Sequence, residues 1–346
     1  MEAQKNMMRK ILLGVLLILI VWVAWNWSLV LYGIGQGMGQ LKIIWNARPA
    51  EEMLHDSGFP DSLKAKLKII EEIRRYAVDS LGLKDTKNYK TVYDQRGQEV
   101  LWVVTACEPF QLKPKLWEFP VVGTVPYKGY FNKDKALAER KELEQEGWDV
   151  SVRNPDGWST LGWFTDPILT GMLERNDGDL ASLIIHEMVH ATLWVKDSVD
   201  FNENLASFIG DTAVYEFLVD KYGKNSKEYV TYLYEDQDYR HYSKHMLRGA
   251  LGLDSLYHTL RESDPRDEKQ KKKEVYIWKI VNSMDTLSLH RPKSSKRFAN
   301  RLPNNTYFMA FRHYQSKLDQ FKVEMNSKFP ADLKGYLHYL AGKYPL

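Results

Sequence analysis

One cysteine, Cys107, stands in the whole 346-residue chain, so neither an intrachain disulfide nor a site built from several thiolates can form. Its flanks, Val103-Val104-Thr105-Ala106 and Glu108-Pro109-Phe110, read as the end of a strand, and a lone thiol so placed reads as buried and structural. Charge of one sign is not in excess either, with 48 Lys and Arg against 45 Asp and Glu. That balance argues against a nucleic-acid surface or an acidic tail, so partners are to be sought in a site. No internal repeat is visible. Length allows one large or two medium domains with a substantial core, and the 11 Trp and 20 Tyr read mostly as core and cleft lining.

A second absence is local. No charged residue occurs between Lys10 and Lys42, and Ile11 to Gly33 is an almost unbroken apolar run, close to the roughly 20 residues a membrane span needs. Lys5, Arg9 and Lys10 precede it, while Trp22, Trp25, Trp27 and Tyr32 crowd its second half. Basic flank first and aromatic belt second predict a single-pass anchor in the inner (cytoplasmic) membrane, with the bulk of the chain outside the cytoplasm, periplasmic if the cell is Gram-negative. A cleaved signal peptide is the competing reading, but Ala24-Trp25-Asn26 is too bulky for an A-x-A-like site.

Residues 1–10 therefore read as a cytoplasmic N-terminus and 11–33 as the anchor. The glycines from Gly33 to Gly39 are expected to break the helix, and 34–88 to form a helical stalk or first layer, with helical spacing through Leu67, Ile70, Ile73, Tyr76 and Ala77. Residues 89–346 form the main domain. Its 89–165 part holds a small β-sheet, suggested by Val100-Leu101-Trp102-Val103-Val104 and Phe119-Pro120-Val121-Val122. Lys133 to Glu146 reads as a charged helix and Asp149 to Val152 as a strand. Residues 179–220 read as helices that carry the chemistry, and 226–346 as a helical C-terminal part. The nearly all-charged Asp264 to Glu274 reads as a solvated face. The fold class expected is α+β, mostly helical.

Asn176-Asp177-Gly178-Asp179 is a turn ending in an N-cap, after which Leu180, Leu183, Ile184, Met188, Val189 and Leu193 give a helix a wide apolar surface. Into this surface are set His186, Glu187 and His190. Histidines four residues apart project from one helix face about one turn apart, as two ligands of one tetrahedral ion require. This is H-E-x-x-H, in which the glutamate serves as general base of a zinc peptidase. The bland alternative leaves two imidazoles and a carboxylate in an apolar helix, each needing a partner. A polar turn, Lys196 to Phe201, leads to a second amphipathic helix starting near Asn202, with Glu203 in its first turn. A short connection makes the helices antiparallel neighbours, which can bring Glu203 beside the histidines as third ligand of one Zn2+ ion.

HEMVH followed by FNENLASFIGD resembles the gluzincin zinc metallopeptidases, which carry HExxH and a downstream NExxA helix. The twelve residues between His190 and Glu203 are fewer than in thermolysin or the alanyl-aminopeptidase type. That spacing resembles the bacterial predicted-aminopeptidase family, and so do Phe119 to Phe131 (FPVVGTVPYKGYF), Ser159 to Leu169 (STLGWFTDPIL) and Leu302 to Phe321 (LPNNTYFMAFRHYQSKLDQF). The resemblance covers roughly Tyr32 to Phe321. It implies His186, His190 and Glu203 as zinc ligands, Glu187 as base, peptide substrates and an envelope location. Family members typically carry an N-terminal lipid or membrane anchor, which the apolar run resembles, and as no lipobox cysteine lies in the first 33 residues, the helix itself would have to anchor this chain.

Around this centre the sequence offers further candidates. Tyr127 and Tyr130 are candidate oxyanion donors. Ser159 to Phe164, with Trp163, looks like an extended edge on which a peptide could pair. Asp166 is a possible acceptor for a ligand imidazole or a cap, and Asn202, Ser207 and Asp211 are possible supports or cleft residues near Glu203. The exopeptidase assignment rests on the resemblance alone, since no carboxylate for a substrate α-ammonium stands out. An envelope zinc endopeptidase and a non-catalytic membrane-anchored scaffold are the rival readings. Beyond peptides and the membrane, nothing points to a protein partner.

Overall fold

The computed structural model describes residues 2–120, 123–155, 165–196, 198–315 and 318–344. The chain forms two units, 1–46 and 47–346. Trp163 and the rest of the expected edge at 159–164 lie outside the described residues.

The first unit is α1 (Glu2–Trp25) and α2 (Trp27–Asn46), meeting at Asn26. The expected break between Gly33 and Gly39 is not there, because α2 runs through all of these residues. Each glycine weakens a helix by only about 0.5–1 kcal/mol, and no proline occurs before Pro49 to remove a backbone donor. Among the described residues one helix, Gln4–Trp25, is long and apolar enough to cross a membrane, starting nearer the N-terminus than the 11–33 run suggests.

The second unit runs β1 (Arg48–Pro49), α3 (Ala50–His55), α4 (Asp61–Asp79), β2 (Thr91–Tyr93), β3 (Trp102–Cys107), β4 (Trp117–Phe119), β5 (Gly123–Val125), β6 (Lys128–Tyr130), α5 (Lys133–Gln145), β7 (Asp149–Arg153) and β8 (Ile168–Leu169). It continues with α6 (Asp177–Thr192), α7 (Val199–Tyr222), α8 (Lys227–His258), α9 (Arg266–Asn282), α10 (Asn305–Gln315), α11 (Leu318–Lys328) and α12 (Leu333–Lys343). The result is mostly helical with small sheets, an α+β arrangement.

The single sheet expected over 89–165 is instead three, ordered β1-β2-β8, β6-β3-β7 and β4-β5. β2 pairs antiparallel with β1 and parallel with β8. These pairings draw residues 48 and 168 to one place, and within the expected 34–88 stalk or first layer, residues 47–88 share one unit with the rest of the chain while 34–46 lie in the first unit. β3 ends at the buried Cys107, as its flanks suggest.

The site rests on α4, α6 and α7. α4 buries Leu67, Ile70, Ile73 and Ala77, a stripe at helical spacing. It ends where Gly82 takes φ +74° and donates to Val78 O at 3.1 Å, a conformation favouring glycine. Lys66 of α4 reaches Asp177 Oδ1 and Arg175 O at the start of α6, where a carboxylate also complements the helix dipole. The cap of α6 is Asn176 rather than Asp179, its side chain accepting from Asp179 N at 2.8 Å. α6 and α7 pack closely because Gly210 has no side chain: a Cβ there would lie 2.9 Å from Ser182 O. Leu205, Ala206, Ile209, Ala213 and Val214 of α7 complete this core.

A second apolar cluster joins Met246, Ala250 and Leu253 of α8, Ile277 and Ile280 of α9 and Phe308 of α10. Here the solvated face expected for 264–274 has an exception. Lys273 is only 2 % exposed and pairs with Asp149 of β7, whose Oδ2 also accepts from Asn305 N. A buried ammonium requires such a partner.

Candidate metal centre

His186 and His190 lie one turn apart on α6, and Glu203 lies in the second turn of α7. His186 Nε2 is 3.1 Å from His190 Nε2 and 3.4 Å from Glu203 Oε2, and His190 Nε2 is 3.4 Å from Glu203 Oε1. Ligands at about 2.0–2.1 Å around a tetrahedral ion are separated by about 3.3 Å. The three side chains therefore stand at the edges such a coordination shell would have, and two imidazoles with one carboxylate are a donor set suited to zinc.

Burial would raise the Glu203 carboxyl, but its contacts with the His186 and His190 imidazoles hold it well below the usual carboxylate range. Glu187, the residue after His186, behaves oppositely. Burial pushes its pKa up to about 7 against the pull of His186, and its Oε2 is buried with no hydrogen-bond partner. A carboxylate 8 % exposed and half unsatisfied is poised to take a proton.

The centre opens on a cleft of about 550 Å³. Its α6 and α7 walls are Ser182, His186, Glu187, Ser207 and Asp211, and Tyr232, Asp236 and Tyr239 face them from α8. Arg291 and Lys293 close the far side. The protein family described as "Putative aminopeptidase" matches residues 32–338. The chain belongs to this aminopeptidase family. No curated protein and no solved structure matches. Family membership makes the chain a peptidase by kinship and peptides its substrate class, whereas the match begins after α1.

Within this aminopeptidase-family chain the other expected residues divide. Ser207, one turn after Glu203, stands 3.3 Å from His186 Nδ1, a contact that orients the imidazole. Asn202 supports the centre through the backbone: its side chain accepts from Val195 N and donates to Val195 O, each at 2.8 Å. This clamp pins the turn between α6 and α7, and with it the position of Glu203. Asp211 Oδ1 accepts from Ser182 Oγ at 2.9 Å and from Tyr232 at 3.5 Å, and burial pushes its pKa up to about 6.

Asp166 is buried at 1 % exposure, and its carboxylate is among the groups that raise the Glu187 carboxyl. Its backbone is tied to residues 88 and 89, Asp166 N donating to Asn88 Oδ1 and Tyr89 N to Asp166 O. Tyr127, on the turn between β5 and β6, is 42 % exposed, and Glu203 is among the groups acting on its phenol. Tyr130 is not brought to the centre, since its hydroxyl donates to Glu139 Oε2 of α5 at 2.8 Å, a carboxylate that also takes Lys128. Alternation along β6 points Tyr130 into the sheet-helix packing.

Six residues around the centre carry no signal that the sequence analysis singles out. Tyr232, Asp236 and Tyr239 recur at helical spacing along α8, a signal that could have marked one face but not what it faces. Arg291 and Lys293 follow no motif. Tyr89 is tied to Asp166 by a backbone hydrogen bond between segments 77 residues apart, 89 and 166, and the Glu187 carboxylate acts on its buried phenol.

Proposed function

We propose that this protein is a zinc-dependent aminopeptidase of the gluzincin type, tethered to the cytoplasmic membrane by α1. The observation that carries the reading is the His186–His190–Glu203 cluster with its metal-compatible spacings and the unpartnered, buried Glu187 beside it.

His186, His190 and Glu203 would hold the ion, and the chemistry a bound zinc supplies is Lewis acidity toward a peptide carbonyl and toward water. Glu187 accepts the proton of the attacking water at its free oxygen and returns it to the departing amine. Ser207 keeps the His186 ring in orientation, and Asn202 keeps α7 in register with α6. Enclosure of Glu187 excludes bulk water and raises its affinity for the proton.

Asp211 supports the exopeptidase part of the reading. It lines the cleft two turns beyond Glu203, and among the described residues no Lys or Arg pairs with it. A substrate α-ammonium is a cation that fits there. Peptides with a free amine should be cleaved in preference to N-acetylated ones, and Asp211→Asn should raise KM for the free-amine substrate about 10- to 100-fold, the loss of one charge-assisted hydrogen bond. Equal cleavage of both substrates by the wild type would favour the endopeptidase reading instead.

The tether rests on the apolar Gln4–Trp25 helix with Lys5, Arg9 and Lys10 at its start. Alkaline carbonate should leave the protein in the membrane pellet, and protease added to spheroplasts should digest residues beyond 46. Release by carbonate would refute the anchor.

A further inference from the structure

The loop from 287 to 294, between α9 and α10, has no regular secondary structure, yet it is fastened along its length. Ser295 closes it by donating from its N and Oγ to the Asp285 carboxylate at 2.7 and 2.6 Å. His290 N and Arg291 N donate to the two oxygens of Asp238 on α8, each at 2.7 Å, and Asp238 is buried. The His290 ring stacks on Tyr234 with centroids 3.9 Å apart, and its Nε2 lies 2.9 Å from Gln237 Oε1. A loop held in this way presents its side chains in fixed places, as binding loops on a rigid scaffold do. Two of them, Arg291 and Lys293, line the cleft that also holds His186 and Glu187.

Most charges on that side of the cleft are satisfied within the protein. Arg291 pairs with Glu235, which also accepts from Asn176 Nδ2 at 2.8 Å. Asp236 accepts from Arg240 Nε at 2.9 Å and from the Tyr215 hydroxyl, and Asp238 has the two backbone donors just named. Lys293 differs. Among the described residues no carboxylate pairs with it, and its Nζ rests 4.6 Å from the centre of the Tyr242 ring. An aromatic face attracts an ammonium more weakly than an anion does. Burial, and after it Arg297, lower the pKa of Lys293 against the pull of Asp238, so its charged form gains from an arriving anion.

We infer that Lys293 binds a carboxylate of the substrate. The inference rests on the peptidase reading above. It narrows the substrate class, because the cleft of about 550 Å³ has the size that encloses a small ligand. Asp211, the carboxylate assigned to the substrate α-ammonium, lines the same cleft. A peptide of a few residues with both ends free carries the matching pair of charges, and an acidic side chain offers the same carboxylate chemistry.

The full chain loaded with zinc should cleave a free-acid tripeptide with a KM about 10- to 100-fold below that of its C-terminal amide, the effect of one charge-assisted hydrogen bond. Lys293→Met should bring this ratio close to one, while Lys293→Arg, which keeps the charge, should preserve a preference for the acid. A ratio does not depend on the fraction of folded enzyme. A tripeptide amide with a glutamate side chain separates the two sources. If it is bound as well as the free acid and loses that advantage in Lys293→Met, the side chain supplies the carboxylate and the contact stands. Equal KM for acid, amide and glutamate-bearing amide in the wild type, or a preference that Lys293→Met leaves intact, would overturn the inference.

Calorimetric binding of the same peptides to Glu187→Gln reads the contact without turnover. The acid should bind 10- to 100-fold more tightly than the amide, and adding Lys293→Met should abolish the difference. If the wild type cleaves acid and both amides equally and Glu187→Gln cleaves none, only the Lys293 assignment fails. If the wild type cleaves nothing, the hydrolytic reading fails and the calorimetric difference alone decides the contact.

Discussion

Glu187→Gln is expected to retain stoichiometric zinc while kcat falls by roughly 10²- to 10⁴-fold, the range associated with one proton-transferring group. Glutamine has nearly the shape of glutamate, so the α6 packing that buries this residue between His186 and Met188 should survive. What disappears is an acceptor whose free oxygen has no partner and whose proton affinity burial has already raised. Tm should change little, because an amide is less costly to bury than a carboxylate held at the edge of ionisation. Metal content by atomic spectroscopy and kcat on a free-amine peptide are the two measurements. Undiminished turnover in the variant would remove Glu187 from the mechanism. Loss of zinc would show that the residue serves the ion rather than the water.

Glu203→Ala acts on the other half of the centre. It removes the carboxylate that touches both imidazoles at 3.4 Å, leaving two ligands on one helix. Losing a residue that merely orients a ligand typically weakens metal affinity 10- to 100-fold, so losing a ligand should weaken it by more than about 100-fold. A metal that binds the folded state alone stabilises it by about 4 kcal/mol when its concentration is a thousand times the dissociation constant. A chelator should accordingly lower Tm of the wild type by several degrees and leave the variant almost unmoved. Equal chelator responses with stoichiometric metal in both proteins would exclude Glu203 as a ligand. The variant should also be nearly inactive, but the calorimetric comparison stands without any substrate.

The legibility of this centre followed the distance over which its residues act. His186, Glu187 and His190 could be read because an α-helix turns a spacing of four into a shared face, and Ser207 because it lies one turn after Glu203. Tyr127 and Tyr130, three residues apart in one segment, could not be told apart. Only the strand register, which commits Tyr130 to Glu139, separates them. The glycines from Gly33 to Gly39 misled in the opposite direction: a local propensity suggested a break that the rest of α2 overrides. Lys273 misled likewise, because its pairing partner Asp149 is 124 residues away in β7.

The chain's own order of residues settled the helical character of the centre, the one-turn spacing of His186 and His190 and the apolar N-terminal segment, because periodicity and composition act within a few turns. Tertiary structure alone decided that α6 and α7 approach closely enough at Gly210 and Ser182 for Glu203 to meet both histidines. It also decided that α8 lines the cleft and that residues 88 and 89 are tied to Asp166. Those juxtapositions arise from packing and strand pairing between distant segments, which no local spacing encodes.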